Sequence, residues 1–467
     1  MRLIFSVATS LVACAVAKPI SSAVGTDDTI ERDAPHHHVA RSGILGLLSS
    51  ASNNLTSSNP YLSQQAASIN SKVQNLLSIS NSESANSSSI DSAADTISAI
   101  FSTRPADLTV SVDLLLSTGL LTGELLNLLN GFTDSALNSE SNDNPIEPET
   151  AIYPSKSADD APYSVDEDTL RSAIYIPDSF SYGANGKIPV LLVPGTFIPA
   201  GVTYYFSFSK LGDHANVDPV WVNIPGESLG DAQINAEFVA YAINYISGIS
   251  SSSKIGVISW SQGGPDTQWA LKYWPSTRSV VQDFIPISPD FHGTDLAYII
   301  CPGFPLLTCT PAVVQQEYTS NFVATLRAED GDSAYVPTTV LYSSFDEIVE
   351  PQSGTSASAY MLDVRDAGVT NAWAQEVCAG KVAGGVYTHE GMLYNPLSWA
   401  LAIDALTHDG PGDISRLDLD TVCSTYLADG LLLDDLLGTE GLLLLALVDL
   451  LGYESWTSVE PPIMAYA

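Results

Sequence analysis

The chain has 467 residues, 45% apolar and 15% charged, which is enough apolar content to bury a large core. Acidic side chains outnumber basic ones 53 to 17, for a net charge of −36 and a pI near 4.1. A surface of that sign repels nucleic acid and anionic membranes, so neither is expected as a partner.

Arg2 precedes an apolar run from Leu3 to Val16, and the small residues Ala15 and Ala17 stand just before Lys18 and Pro19. This is the layout of a cleavable signal peptide over 1–17, and it predicts a secreted, extracellular protein. Residues 18–41 read as a pro-segment. His36, His37 and His38 within it read as a solvated polar tract, because no second ligand cluster accompanies them, and no metal is expected. From 42 to 133 the composition shifts to Ser, Asn, Ala and Leu, with helical periodicity over 59–79 and 108–132. Val110, Leu114, Leu115, Leu121, Leu125 and Leu129 give that helical region a wide apolar face in need of a partner surface. Asn54 and Asn86 begin glycosylation sequons. A Ser-, Asn-, Pro- and Glu-rich linker is expected over 134–160.

The remainder, 161–467, has an α/β pattern. Short apolar runs at 187–193, 220–224, 254–259, 283–288 and 338–343 alternate with helical stretches such as 231–247. They predict a central, mostly parallel sheet with helices on both faces, and reactive residues belong at its strand ends. The run 254–259 leads into Trp260, Ser261, Gln262 and Gly263, followed by a helix-compatible stretch. A serine on a sharp strand-to-helix turn, with small residues two places either side, is the nucleophile elbow of an α/β-hydrolase. Ser259 stands where that motif usually has glycine. Ser261 is the predicted nucleophile.

A serine hydroxyl needs a base, held in turn by a carboxylate, and in this fold they follow in the order serine, acid, histidine. Only His292, His389 and His408 follow Ser261. His292 is too close to the elbow, and His408 ends an apparent helix, where a histidine commonly only meets the helix dipole. His389, before a loop glycine, is the predicted base. Asp346, just past the strand at 338–343, is the predicted acid, with Glu347 as the alternative. The backbone N–H of Gln262, with Thr196 at the end of the first strong strand, is expected to form the oxyanion hole.

Cys14 leaves with the signal peptide, and four cysteines remain, enough for two disulfides in a secreted chain. Cys301–Cys309 with Cys378–Cys423 is the simplest of three pairings. The leucine-rich stretch 427–451 is interrupted by Asp429, Asp434, Asp435, Glu440 and Asp449, so no transmembrane segment is expected there. Residues 430–451, with 304–312, are candidates to flank a substrate mouth, while most of those leucines are expected to pack as core, and the helical N-terminal region is a candidate to cover that mouth.

The motifs at 191–196, 259–264, 288–294, 314–316, 345–352 and 460–466, with the His389 segment, resemble the Candida antarctica lipase B family in that family's order, over about 165–467. The resemblance implies a secreted lipase or carboxylesterase, needing no cofactor and acting as a monomer on lipid or other ester substrates, some at an oil–water surface. It implies Ser261, Asp346 and His389 as the triad, Thr196 and Gln262 as the oxyanion hole, and Trp260, Asp290 and Gln316 as pocket-lining residues. It also implies a Cys378–Cys423 disulfide. The chain departs from the family at Phe197, where glycine is expected, and at Glu390, where alanine is expected. Phe197 narrows the acyl side and raises an alternative, an esterase for short-chain or polymeric esters. A non-catalytic binding protein on the same fold is opposed by the intact Ser, Asp, His and Thr set.

Overall fold

Seven strands form one sheet: β1 (Ile174–Tyr175), β2 (Ile188–Val193), β3 (Val217–Val222), β4 (Ile255–Trp260), β5 (Val281–Ile287), β6 (Thr338–Tyr342) and β7 (Val369–Trp373), in the order β1-β3-β2-β4-β5-β6-β7. The β1–β3 pair is antiparallel and every other pair is parallel. The computed structural model describes residues 89–105, 108–122, 129, 135–250, 253–295 and 308–467. All of them belong to the unit Arg41–Ala467. The expected signal peptide, pro-segment, helix 59–79, Asn54, Asn86 and Cys301 lie outside the described residues.

Side-chain alternation makes the layers. Val190 and Leu192 of β2 join one apolar cluster, while Leu191 and Val193 join the other. In β4, Ile258 and Trp260 face the first cluster, and Ile255 and Val257 the second. Strands buried on both faces are what a parallel sheet between helices requires. The helices Ala232–Ile249 and Gly263–Tyr273 cover the second face. The first face is covered by Ile90–Phe101, Leu108–Ser117, Pro396–Thr407 and the C-terminal pair Leu433–Glu440 and Leu442–Gly452.

The helix predicted over 108–132 ends at Ser117. Gly119 sits at φ 73°, and its N–H bonds the Leu116 carbonyl, a glycine-assisted helix stop. Val112, Leu115 and Leu116 are buried, and the helix packs against Leu442–Gly452, which supplies the partner that its apolar face needs. The stretch expected as a linker lies bonded to the domain from Ser135 onward. Leu137 O accepts from Trp221 Nε1 (2.8 Å) and Asn223 Nδ2 (2.9 Å), and Ile146 O accepts from Tyr245 OH (2.8 Å).

Cys378 and Cys423 form a disulfide with a Cα separation of 5.5 Å, closing the loop that carries His389. Cys309 is also disulfide-bonded. Among the described residues, no helix is long and apolar enough to cross a membrane.

Candidate active site

At the carboxyl end of β4 the chain turns directly into the helix Gly263–Tyr273, and Ser261 sits on that turn at φ 55°. A left-handed conformation at a non-glycine residue costs on the order of 1–3 kcal/mol, and is held only where the surroundings over-determine it. Here the Ser261 N–H bonds Ile287 O of the adjacent strand at 3.0 Å. The small neighbours are needed. A Cβ on Gly263 would lie 2.6 Å from Pro194 O, and one on Gly195 would lie 2.8 Å from Ser261 Cβ. Ser259, the departure from glycine, is accommodated fully buried in β4.

Asp346 follows β6 and His389 lies in the disulfide-closed loop, and both are almost fully buried. His389 Nδ1 is 2.8 Å from Asp346 Oδ2. The other carboxylate oxygen, Oδ1, accepts the N–H groups of Ile348 (3.0 Å) and Val349 (2.7 Å), which fixes the carboxylate's orientation. Among the described residues, His389 Nε2 has no hydrogen-bond partner, and it lines the same pocket as Ser261. Burial alone would lower the imidazole's pKa. The charge and hydrogen bond of Asp346, with the charges of Glu347 and Asp290, outweigh it, and the net direction is above the ordinary 6.5.

The alternatives are placed elsewhere. Glu347 Oε2 accepts the backbone N–H of His389 at 3.0 Å, so it holds the loop instead of the ring. The His408 side chain is half exposed and pairs with Asp404, and His292 pairs with Asp332.

Thr196 Oγ1 donates to Gln262 Oε1 (2.6 Å), and Gln316 Nε2 donates to Gln262 Oε1 (2.8 Å) and Thr196 Oγ1 (3.1 Å). This closed amide network pins the turn after β2 to the start of the helix after Ser261. Trp260 packs its ring on His389 with centroids 5.0 Å apart, and donates from Nε1 to His389 O at 3.1 Å. Trp260 and Gln316 line the pocket, but Asp290 does not. It is buried, both oxygens unpartnered among the described residues, with its carboxyl pushed up to about 7 by burial.

The pocket is small. Its volume is about 30 Å³, and its apolar walls include Leu108, Phe197, Ile198, Leu442, Leu443 and Ala446. Phe197 holds φ 77°, which explains why a glycine suits that position and shows that the phenyl group is kept at a backbone cost. Leu108 and Ile348 were not singled out in the sequence. Leu108 was legible only as the first residue of an apolar helix.

No family model matches the chain. Lipase B of Pseudozyma antarctica is 36% identical over 220 residues, 47% of this chain and 61% of that protein, so the chain spans less than two thirds of that curated relative's length. The crystal structure of Aspergillus fumigatus lipase B superposes with a TM-score of 0.84 at 55% identity, covering 91% of this chain and 99% of that one. That second match extends well into the first 150 residues, so at least part of the N-terminal region is shared with a relative. On this likeness, together with the elbow and the parallel sheet that carries it, the chain belongs to the lipase B family of α/β-hydrolase carboxylic ester hydrolases.

Proposed function

We propose that the protein is a secreted lipase or carboxylesterase that cleaves esters, triacylglycerols among them, through an acyl-enzyme on Ser261. The observation that carries this reading is the His389–Asp346 bond of 2.8 Å, with Nε2 left unpaired on the pocket that Ser261 lines. Ser261 Oγ attacks the ester carbonyl while its proton passes to Nε2. Asp346 stabilises the imidazolium, and the backbone N–H groups of Gln262 and Thr196 hold the oxyanion. The proton then goes to the departing alkoxide. Water repeats the sequence and releases the acid.

His389 must be neutral to act as the base, and its pKa is raised. On acidification kcat/KM is therefore expected to fall with a midpoint above 6.5. A midpoint at or below that value in a pH–rate profile contradicts the assignment.

A pocket of about 30 Å³ holds roughly one water, whereas ligand sites run to about 300–1,000 Å³. Substrate entry therefore requires the wall of Leu108, Leu442, Leu443 and Ala446 to move apart, and the helix Leu108–Ser117 acts as a cover. Leu108→Ala removes buried contacts from the closed state and is expected to raise kcat/KM on p-nitrophenyl esters about threefold or more, most for long chains. Unchanged or reduced rates across chain lengths would count against a cover. The same profile in the unaltered protein decides the second reading, a short-chain esterase, which Phe197 in the pocket wall favours.

A further inference from the structure

Three glutamates meet behind the imidazole. Glu347 holds the His389 N–H through Oε2 at 3.0 Å. Glu440 Oε1 accepts the hydroxyls of Tyr394 (2.7 Å) and Thr388 (3.2 Å). Glu390 stands between them, completely buried, on the pocket wall and within hydrogen-bonding reach of both. Among the described residues, four of their oxygens have no donor: Glu347 Oε1, both oxygens of Glu390, and Glu440 Oε2. Ionised carboxylates only accept, and an unmet buried acceptor is costly. Two protons shared among the three groups would satisfy all four oxygens, by pairing one Glu390 oxygen with Glu347 and the other with Glu440.

We propose that Glu390 is a positioning residue acting as a neutral carboxylic acid, the middle of a proton-sharing string Glu347–Glu390–Glu440 that ties the His389 loop to the pocket wall. The second tie follows from the chain. Glu440 ends the helix Leu433–Glu440, which passes through Gly441 into the wall helix Leu442–Gly452. Electrostatics agree with retained protons. Burial and the neighbouring carboxyls push Glu390 well up, Glu347 to about 8 and Glu440, through burial, to about 7. The other groups facing the string are Asp346 on the acid loop, His389, Tyr394 and Tyr426.

The inference rests on His389 as the base, but its test has a readout that needs no catalysis. Carboxyls with a raised folded pKa contribute stability that is complete below about 4.5 and lost as pH rises through about 7–8. The melting temperature of the full-length protein should therefore fall between pH 5 and 8.5. Glu390→Gln cannot ionise and still donates. It should melt close to the unaltered protein at pH 5 and about 3 °C or more above it at pH 8.5. Glu390→Ala should lose about tenfold in kcat/KM, and Glu390→Gln should recover most of that loss. The inference is overturned if Glu390→Gln shows the unaltered fall in melting temperature, or if Glu390→Ala keeps full kcat/KM at each pH. Repeating the melts on Ser261→Ala separates this result from the fate of the acyl-enzyme reading.

Discussion

Ser261→Ala is expected to reduce ester turnover by about 10⁶-fold, because nucleophile, base and acid act as one unit and losing one forfeits nearly all their joint effect. The loss should fall on kcat, since the apolar pocket walls are untouched. Folding should survive. The left-handed turn at φ 55° is held by the bond from the Ser261 N–H to Ile287 O and by the close approach of Gly195 and Gly263, none of which uses the hydroxyl. Turnover on p-nitrophenyl butyrate, with an unchanged melting curve, checks it. Retention of most activity would remove Ser261 from the chemistry.

The second large effect separates two neighbouring carboxylates. Asp346→Asn is expected to cost about 10⁴-fold in kcat. The reason is geometric: Oδ1 accepts two backbone N–H groups, at 3.0 and 2.7 Å, so an asparagine must keep its oxygen there. Its amide N–H₂ then faces His389 Nδ1 and imposes the wrong tautomer. Glu347→Gln keeps an acceptor for the His389 N–H and should cost less than about tenfold. Measuring kcat for both variants at one pH decides between them. The reverse order would move the acid role to Glu347.

Much of this arrangement was legible in the chain because it is written locally. β2, β4, β5 and β6 coincide with short apolar, β-branched runs to within two residues, since strands buried on both faces need such runs. β1 has two residues, and β7 carries Thr370 and Asn371 on a partly exposed edge, so neither had an apolar signature. Scarce histidines singled out His389, and the position of Asp346 just after a strand singled out that carboxylate. What was not legible depends on contacts far apart in sequence. Glu347 and Glu390 differ by one place from the expected acid and base, yet their roles follow from which oxygen meets which donor across the fold. Glu390 showed only as a departure in a motif, and its partner Glu440 comes from a separate helix. Leu108 showed only as the first residue of an apolar helix, whose packing partner is the distant helix Leu442–Gly452.

The most direct measurement is covalent. Treatment of the protein with a fluorophosphonate, followed by peptide mass spectrometry, should place one adduct on the peptide containing Ser261. Labelling should be lost in Ser261→Ala and strongly slowed by acidification below the raised pKa of His389. An unlabelled protein at neutral pH, or an adduct on a different serine, would contradict a hydroxyl activated by this imidazole.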